Sequence, residues 1–202
     1  MLKTLALSAL SALFLLPTAA ANAAVEPGQP APDFTGTDTN GVEHTLSGFK
    51  GKTVVLEWTN HECPYVVKHY GGGNMQALQK AATDDGVVWV SVVSSAPGKQ
   101  GFVDAESGNK VISDKGSNAT AKILDPDGSI GKLFGAKTTP HMFVIDPEGN
   151  IAYAGAIDSN SSFDPATIEG ATNYVSDALA SIKAGKPIEV ASTTPYGCSV
   201  KY

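Results

Sequence analysis

The stretch that decides the fold spans residues 53–66 and reads Thr53-Val54-Val55-Leu56-Glu57-Trp58-Thr59-Asn60-His61-Glu62-Cys63-Pro64-Tyr65-Val66. Its first six residues are β-branched and mostly apolar, which is typical of a central strand that is buried on both faces. Pro64 suits the first position of a helix, because its missing N–H would have no partner there. The stretch therefore predicts a strand, a short loop and a helix, with Cys63 at the start of the helix.

A cysteine at the start of a helix lies beside unpaired backbone N–H groups and the positive end of the helix dipole. Both favour the thiolate, so we expect the pKa of Cys63 to lie below that of a free thiol. This predicts a reactive thiol. The alternatives are a small buried core residue or one half of a static disulfide.

Strand and helix patterns alternate outward from this stretch. Upstream, Asn40-Gly41 predicts the turn of an N-terminal hairpin. Downstream, Asn74 is the expected N-cap of a helix that follows three glycines, and residues 87–93 predict a second buried strand. Residues 96–120 predict a loop with one helix.

The second half of the chain predicts a short strand at residues 123–124, a small helix ending at Phe134 and an antiparallel hairpin around residues 147–150. Asp164-Pro165 predicts the start of a last helix, which ends at Gly185. The whole order predicts an α/β fold with a mixed β-sheet, helices on both faces and an N-terminal β-hairpin.

The first 23 residues have the features of a secretory signal peptide: Lys3, an apolar run over residues 5–16 and small residues up to Ala23. The run is shorter than the roughly 20 residues that a membrane-spanning helix needs. We therefore expect cleavage after Ala23, a single domain over residues 24–202, and a periplasmic or secreted protein without membrane attachment after cleavage.

The charged residues are 14 lysines, no arginine and 20 acids, and the formal net charge is −6. Nucleic acids and anionic membranes are bound by clustered basic residues. An acidic chain without arginine therefore argues against both kinds of partner.

The chain has two cysteines, Cys63 and Cys198, so a single intramolecular pairing is possible. A redox pair, a permanent disulfide and no pairing at all stay open at this point. Sequence alone does not fix the connectivity, because a disulfide depends on the geometry of both residues.

Three further segments accompany residues 58–66 in the same order as in one known group: Pro30-Ala31-Pro32-Asp33-Phe34, residues 135–146 with Thr139-Pro140, and Gly197-Cys198-Ser199-Val200-Lys201-Tyr202. With them the chain resembles the thioredoxin-fold redoxins. In particular it is similar to an exported, peroxiredoxin-like branch of the alkyl hydroperoxide reductase and thiol-specific antioxidant group. The resemblance covers nearly all of the chain after residue 23.

The resemblance implies an exported thiol oxidoreductase with Cys63 as nucleophile and Cys198 as resolving thiol, carried on a flexible tail. It implies a cis peptide at Thr139-Pro140 beside Cys63, where the Thr139 backbone pairs with a substrate chain. The implied partners are a peroxide or a protein disulfide or thiol as substrate, and a thiol reductant of unknown identity. No cofactor is implied.

The chain departs from the pattern of its relatives at two positions. Val66 stands where thioredoxin-like reductases have a second cysteine, and Asn60 stands where peroxiredoxins have a threonine. The peroxiredoxin arginine is also absent. A peroxide would therefore have to be polarised by Lys68, His61 or the helix N-terminus.

Glu57 and the histidines are the other candidates for site residues. Glu57 is interpreted either as a buried acid that shuttles protons behind the nucleophile or as a strand residue that reaches solvent. His61 and His141 are candidates for tuning the thiolate, whereas His44 and His69 are expected at the surface.

Two other classes of function remain as alternatives. One is a non-catalytic copper- or zinc-binding protein that uses Cys63 with His61 or His141. Because no C-x-x-C or H-x-x-H spacing is present, we expect no bound metal. The other is a structural binding module with an inert disulfide.

Overall fold

The computed structural model describes residues 25–202. The expected signal peptide, residues 1–23, lies outside the described residues. Within residues 25–202, no helix combines the length and the apolar character needed to cross a membrane.

The described residues contain strands and α-helices in the alternating order that the sequence predicts. The strands are β1 (Thr35–Asp38), β2 (Glu43–Thr45), β3 (Val54–Trp58), β4 (Val88–Val93), β5 (Ala121–Leu124), β6 (Thr138–Thr139), β7 (His141–Ile145), β8 (Ile151–Gly155) and β9 (Cys198–Ser199). The α-helices are α1 (Pro64–Gly71), α2 (Asn74–Asp84), α3 (Ala105–Lys115), α4 (Ser129–Phe134) and α5 (Tyr174–Lys183).

Seven of these strands form one mixed sheet in the order β2-β1-β5-β4-β3-β7-β8. Strand β3 pairs in parallel with β4 and antiparallel with β7, and β1 and β2 form the N-terminal hairpin. All five residues of β3 are buried, as expected for a central strand covered on both faces. The fold is therefore the predicted mixed α/β sheet of the thioredoxin-like type.

The two faces of the sheet bury separate apolar clusters. One contains Leu56, Trp58 and Phe134, the last from helix α4. The other contains Cys63 together with Val66 and Trp89, and is covered by helices α1, α2 and α5. Because side chains alternate along a strand, Glu57 points to the same face as Cys63.

Two predicted helix starts were wrong. Gly73, in a left-handed conformation, is the N-cap of α2, while the Asn74 side chain instead donates to His69 Nδ1 at 2.8 Å. Asp164-Pro165 caps only a single 3-10 turn over Pro165–Thr167, and α5 begins after Asn173, whose side chain accepts from the Ser176 N–H.

Candidate active site

The loop between β3 and α1 places Cys63 at the N-cap of α1, with Pro64 in the first turn, as the sequence predicts. The Asn60 carbonyl accepts from the Cys63 N–H at 3.0 Å, and the Asn60 side chain accepts from the Glu62 N–H at 2.9 Å. The Glu62 carboxylate in turn accepts from the Gly101 N–H at 2.7 Å. These bonds hold the thiol at a helix N-terminus, where backbone N–H groups face it.

The Cys63 sulfur meets two partners that are distant in sequence. Its thiol donates to the Thr139 carbonyl oxygen at 3.1 Å, and Cys198 Sγ lies 2.6 Å away. Both cysteines are free thiols. The peptide bond between Thr139 and Pro140 is cis, as the family resemblance implied. The fold thus joins Cys63, Cys198, Thr139 and Pro140 in one place.

The two thiols differ in acidity. Burial raises the pKa of Cys63, but hydrogen bonds from the Cys198 thiol and from the backbone N–H groups of Val66 and Cys198 outweigh it and hold that pKa below its ordinary value. Burial, then the hydrogen bond and charge of Cys63, raise the pKa of Cys198 to about 11, against a smaller opposing effect of Lys201. Cys63 is therefore the more acidic thiol of the pair, and Cys198 keeps its proton to a higher pH.

Access to the pair is controlled by the C-terminal segment. Cys63 has 0% of its surface exposed, whereas Cys198 is half-buried. Strand β9 pairs antiparallel with β6, with Cys198 opposite Thr139, and so covers the Cys63 sulfur. Because Cys63 has no exposed surface while β9 is in place, a substrate has to displace β9 to reach its sulfur.

Residues 191–202, where the sequence predicts a flexible tail, contact the body of the protein along the whole segment. The Ala154 N–H donates to the Ala191 carbonyl at 3.1 Å, and the Ala96 N–H donates to the Lys201 carbonyl at 2.8 Å. The Tyr202 hydroxyl donates to the Ala136 carbonyl at 2.8 Å. Its ring lies against Gly128 and Gly131, where β-carbons would overlap it.

A buried polar cluster that sequence reasoning missed joins the tail to α1. Tyr196 donates from its hydroxyl to Asp158 Oδ1 at 2.5 Å and lies 3.1 Å from His69 Nε2. Lys68 Nζ is 3.6 Å from Asp158 Oδ2 and donates to the Asn160 carbonyl at 2.8 Å. Tyr196 lies directly before the tail motif that begins at Gly197 and two residues before Cys198, and this proximity to the second cysteine was the available signal.

One histidine prediction and one lysine prediction need correction. His69 was expected at the surface, yet it is fully buried because Tyr196 and Asn74 cover it. His44 is half-buried and bonds Asp38 Oδ2 at 2.9 Å. Lys68, expected as a group that polarises peroxide, has its ammonium group bound to the Asp158–Asn160 loop instead.

Glu57 is fully buried, so the solvent-reaching interpretation was wrong. Its carboxylate accepts hydrogen bonds from four side chains at 2.9–3.2 Å: Tyr70, Gln79, Trp89 and Ser91. A buried carboxylate needs such donors, because desolvation is costly without them. Lys122 on β5 is also buried. Burial lowers the pKa of Lys122, and the negative charge of Glu57 partly offsets that shift.

The histidines nearest Cys63 in sequence face different surroundings. His61 is half-buried and lines a small cavity with Tyr70, Lys115 and Lys122. Burial lowers the pKa of His61, with smaller effects of Lys122 and Lys115 in the same direction and of Glu62 against it. His141 is buried, and its Nδ1 accepts from the Lys137 N–H at 3.2 Å. Over residues 25–202, no three His, Cys, Asp or Glu side chains are grouped as metal ligands.

Comparisons with known proteins identify the family to which the chain is similar. A family model described as Redoxin matches residues 26–171, a range that contains Cys63, Thr139 and Pro140 and stops before Cys198. Thiol-disulfide oxidoreductase ResA from Bacillus subtilis (strain 168) is 26% identical over 134 residues, or 63% of this chain and 65% of that protein. The chain thus matches slightly less than two thirds of the length of this relative.

Solved structures share the fold over most of the chain. A hypothetical protein from Sinorhizobium meliloti 1021 is similar with a TM-score of 0.75 and 22% identity, covering 89% of this chain and 96% of that one. An uncharacterized conserved protein from Geobacillus kaustophilus gives a TM-score of 0.75 and 23% identity over 88% and 93%. A putative protein disulfide isomerase from Bacteroides thetaiotaomicron gives a TM-score of 0.51 and 26% identity over 63% and 76%.

Proposed function

This chain belongs to the Redoxin family, and from that premise we propose that it is a thiol–disulfide oxidoreductase with Cys63 and Cys198 as its redox couple. The observation that carries the proposal is a pair of adjacent free thiols at a helix N-terminus, in which the pKa of Cys63 is lowered and the pKa of Cys198 is raised. The similarity to Thiol-disulfide oxidoreductase ResA supports the same reaction class.

The reaction proceeds by two thiol–disulfide exchanges. The Cys63 thiolate attacks one sulfur of a substrate disulfide, forms a mixed disulfide and releases the other substrate sulfur as a thiolate. Cys198, after losing its proton to a released thiolate, attacks the Cys63 sulfur and releases the second substrate thiolate. The substrate gains two electrons and one proton from the couple, and the remaining substrate thiolate takes a second proton from water. The Cys63–Cys198 disulfide is then reduced by an external thiol reductant.

The remaining site residues have supporting roles in this proposal. The Thr139 carbonyl positions Cys63 while its thiol is protonated. The Thr139 hydroxyl is buried and has no hydrogen-bond partner among residues 25–202, so it is available to donate to the thiolate. Pro140 places that carbonyl beside the sulfur. Glu57 is a buried carboxylate on the same sheet face as Cys63, and His61 lies in the loop before Cys63.

A peroxiredoxin-like reaction uses the same couple with a peroxide as oxidant. The Cys63 thiolate attacks the protonated peroxide oxygen, the O–O bond breaks, and the other oxygen leaves as hydroxide or alkoxide, which takes a proton from solvent to become water or an alcohol. The resulting sulfenic acid condenses with the Cys198 thiol to a disulfide and water. Disulfide exchange is the leading form, because the chain has no arginine and Lys68 is bound to Asp158 and Asn160.

Turnover and intact mass of three chains test the proposal. With dithiothreitol as reductant and insulin as disulfide substrate, the unmodified chain is expected to accelerate reduction, and Cys63→Ser is expected not to. Cys198→Ser is expected to accumulate a mixed disulfide, visible as added mass. A parallel arm with hydrogen peroxide distinguishes the oxidants, since a sulfenic acid at Cys63 of Cys198→Ser is trapped by dimedone. Full activity of Cys63→Ser overturns the assignment.

We also infer that the chain is exported and that residues 24–202 form a single domain after removal of residues 1–23. The order of charge, apolar run and small residues supports this. The chain expressed in a Gram-negative host is expected in the periplasmic fraction, with a mass that begins at Ala24. A mass that begins at Met1 contradicts cleavage.

A further inference from the structure

The short pairing of β9 with β6 uses only main-chain groups. Cys198 lies opposite Thr139 and Ser199 opposite Thr138, and the Val200 N–H donates to the Lys137 carbonyl at 3.1 Å. Any extended polypeptide offers the same main-chain donors and acceptors, so such an edge selects for backbone conformation rather than sequence. Selectivity has to come from the side chains beside the edge.

The position before Cys198 admits no side chain. Gly197 has a φ of 136°, which L residues rarely adopt, and a β-carbon there would overlap the Thr139 carbonyl oxygen. A chain that lies on this edge in the same register therefore needs a glycine immediately before its cysteine.

Two positions before Cys198, a slot holds the Tyr196 side chain. Its walls come from the body of the protein rather than the tail: Tyr65, whose ring centroid is 5.8 Å from that of Tyr196, Lys68, whose Nζ is 5.6 Å from the ring centroid, and His69. At its end, Asp158 Oδ1 accepts from the phenol, and the buried Asp158 Oδ2 has no hydrogen-bond partner among residues 25–202. The slot accepts an aromatic ring that carries a hydrogen-bond donor.

An aromatic surface continues beyond the slot. Phe163 has 63% of its surface exposed and packs edge-to-face on Tyr65, with ring centroids 6.1 Å apart. The tail leaves Phe163 uncovered, and exposed aromatic side chains are enriched where proteins bind other chains. This favours a polypeptide ligand over a small molecule.

We propose that the groove along β6 is a binding site for an extended polypeptide with the pattern tyrosine-glycine-cysteine, and that the tail, residues 196–198, is its internal occupant. This rests on the proposed function and names its substrate class. The substrate displaces the tail, its cysteine sulfur is attacked by the Cys63 thiolate, and its disulfide partner leaves as a thiolate. The returning tail then brings Cys198 to the mixed disulfide and expels the substrate.

The test uses full-length chains that carry Cys198→Ser, so that Cys63 is the reactive cysteine. The probe is a synthetic peptide, Thr-Pro-Tyr-Gly-Cys-Ser-Val, whose cysteine forms a disulfide with 5-thio-2-nitrobenzoate. Attack by Cys63 on the peptide sulfur releases the coloured thionitrobenzoate, because the more acidic thiol is the better leaving group. A second peptide with alanine in place of tyrosine is the matched control.

In Cys198→Ser the tyrosine peptide is expected to react about tenfold faster than the alanine peptide, as expected for one hydrogen bond to a charged acceptor. Adding Tyr196→Ala empties the slot, so the tyrosine peptide is expected to react faster still. The ratio of the rates of the tyrosine and alanine peptides is expected to stay at least as large. Adding Tyr202→Ala instead loosens the end of the tail, but Tyr196 still competes with the peptide for the slot. The increase in the reaction rate of the tyrosine peptide is therefore expected to be smaller than with Tyr196→Ala.

Equal rates for the two peptides in Cys198→Ser overturn the proposed recognition site, and this variant keeps the slot residues intact. Failure of the proposed function is a different outcome. In that case Cys63 reacts in none of the chains, either with the two peptides or with 5,5′-dithiobis(2-nitrobenzoate), the symmetrical disulfide of the leaving group. Should Tyr196→Ala fail to fold, the rate ratio in Cys198→Ser decides alone.

Discussion

Gly197 packs so closely against the carbonyl oxygen of Thr139 that a β-carbon on residue 197 would overlap this oxygen. The same carbonyl accepts from the Cys63 thiol at 3.1 Å, and the next residue along the tail is Cys198. One oxygen atom therefore contacts both the nucleophile and the segment that covers it. A change at position 197 acts on the access to Cys63 without touching either cysteine.

Gly197→Ala is expected to release β9 from β6. The added methyl group meets the Thr139 oxygen, and the positive φ adds strain of about 1–3 kcal/mol for a residue other than glycine. In a Cys198→Ser background, alkylation of Cys63 by iodoacetamide is expected to become at least about tenfold faster, since 1.4 kcal/mol corresponds to a factor of ten. Intact mass spectrometry over time measures the rate.

Gly170→Ala is the matched control for this change. Gly170 also has a positive φ, 80°, but no atom lies within 4 Å of a β-carbon built there. Gly170→Ala introduces backbone strain away from the tail. The rate of Cys63 alkylation is therefore expected to equal that of the Cys198→Ser parent. Similar acceleration in both variants would show that strain in general, rather than the contact with Thr139, exposes the thiol.

Glu57→Gln is expected to destabilise the fold by about 1–3 kcal/mol, the cost of leaving buried donors without an acceptor. Both carboxylate oxygens accept at present, from donors such as Tyr70 and Trp89. A glutamine presents an NH₂ group to one set of these donors. Urea denaturation measures the free energy of unfolding.

Glu148→Gln is the control for Glu57→Gln, because Glu148 is exposed at the β7–β8 turn. Its free energy of unfolding is expected to stay within about 0.5 kcal/mol of the parent, as for most surface substitutions. A Glu57→Gln chain as stable as Glu148→Gln contradicts the view that the carboxylate is required by its donors.

The sequence was most informative where local patterns decide the structure. The apolar run before Trp58 and the Cys63-Pro64 pair specify a buried strand and a helix start by short-range effects, and both predictions were confirmed. The start of α5 was mistaken because Asp164-Pro165 is a genuine capping signal, but Asp164 caps only a 3-10 turn. A local cap does not determine how far a helix continues.

The rest of the site depends on contacts between distant segments. The tail looks irregular in sequence, and its order comes from the free edge of β6 and from the two glycines beneath Tyr202. His69 is buried because Asn74 and, far along the chain, Tyr196 pack over it. No pattern within α1 indicates this, since the burial of one residue is decided by the segment that lands on it.

Acid is expected to destabilise the fold through His141. Burial, with a smaller effect of Lys137, lowers the pKa of His141 to about 4, against about 6.5 in an unfolded chain. The unfolded state therefore binds the proton first as pH falls, and stability is lost between about pH 6.5 and about pH 4. The difference corresponds to about 3 kcal/mol at most, and it is measured by urea denaturation at several pH values.

His141→Gln is expected to flatten this pH dependence, because a neutral side chain replaces the one that titrates. A smaller acid loss is expected to persist from His69, whose pKa burial also lowers to about 4. His44→Gln, at the β1–β2 hairpin, controls for removal of a histidine elsewhere. The same acid loss in His141→Gln as in the parent rules out His141 as its source.

Lys68 and Asp158 are expected to be strongly coupled in stability. Both side chains are buried, with Nζ and Oδ2 3.6 Å apart. Removing one partner leaves the other charge buried without compensation, which typically costs about 3–5 kcal/mol. Lys68→Met and Asp158→Asn are each expected to destabilise the fold to this extent, and the double variant is expected to lose less than the sum, by about 1–3 kcal/mol.

Lys80 and Asp84 on α2 provide the matched pair for this double-mutant cycle. Their closest N–O distance is 2.7 Å, shorter than that of the buried pair, but their side chains are 64% and 63% exposed. Water screens such pairs, so the coupling in Lys80→Met with Asp84→Asn is expected to be at most about 0.5 kcal/mol. A coupling no larger than that of the exposed pair would mean that burial does not strengthen the ion pair between Lys68 and Asp158.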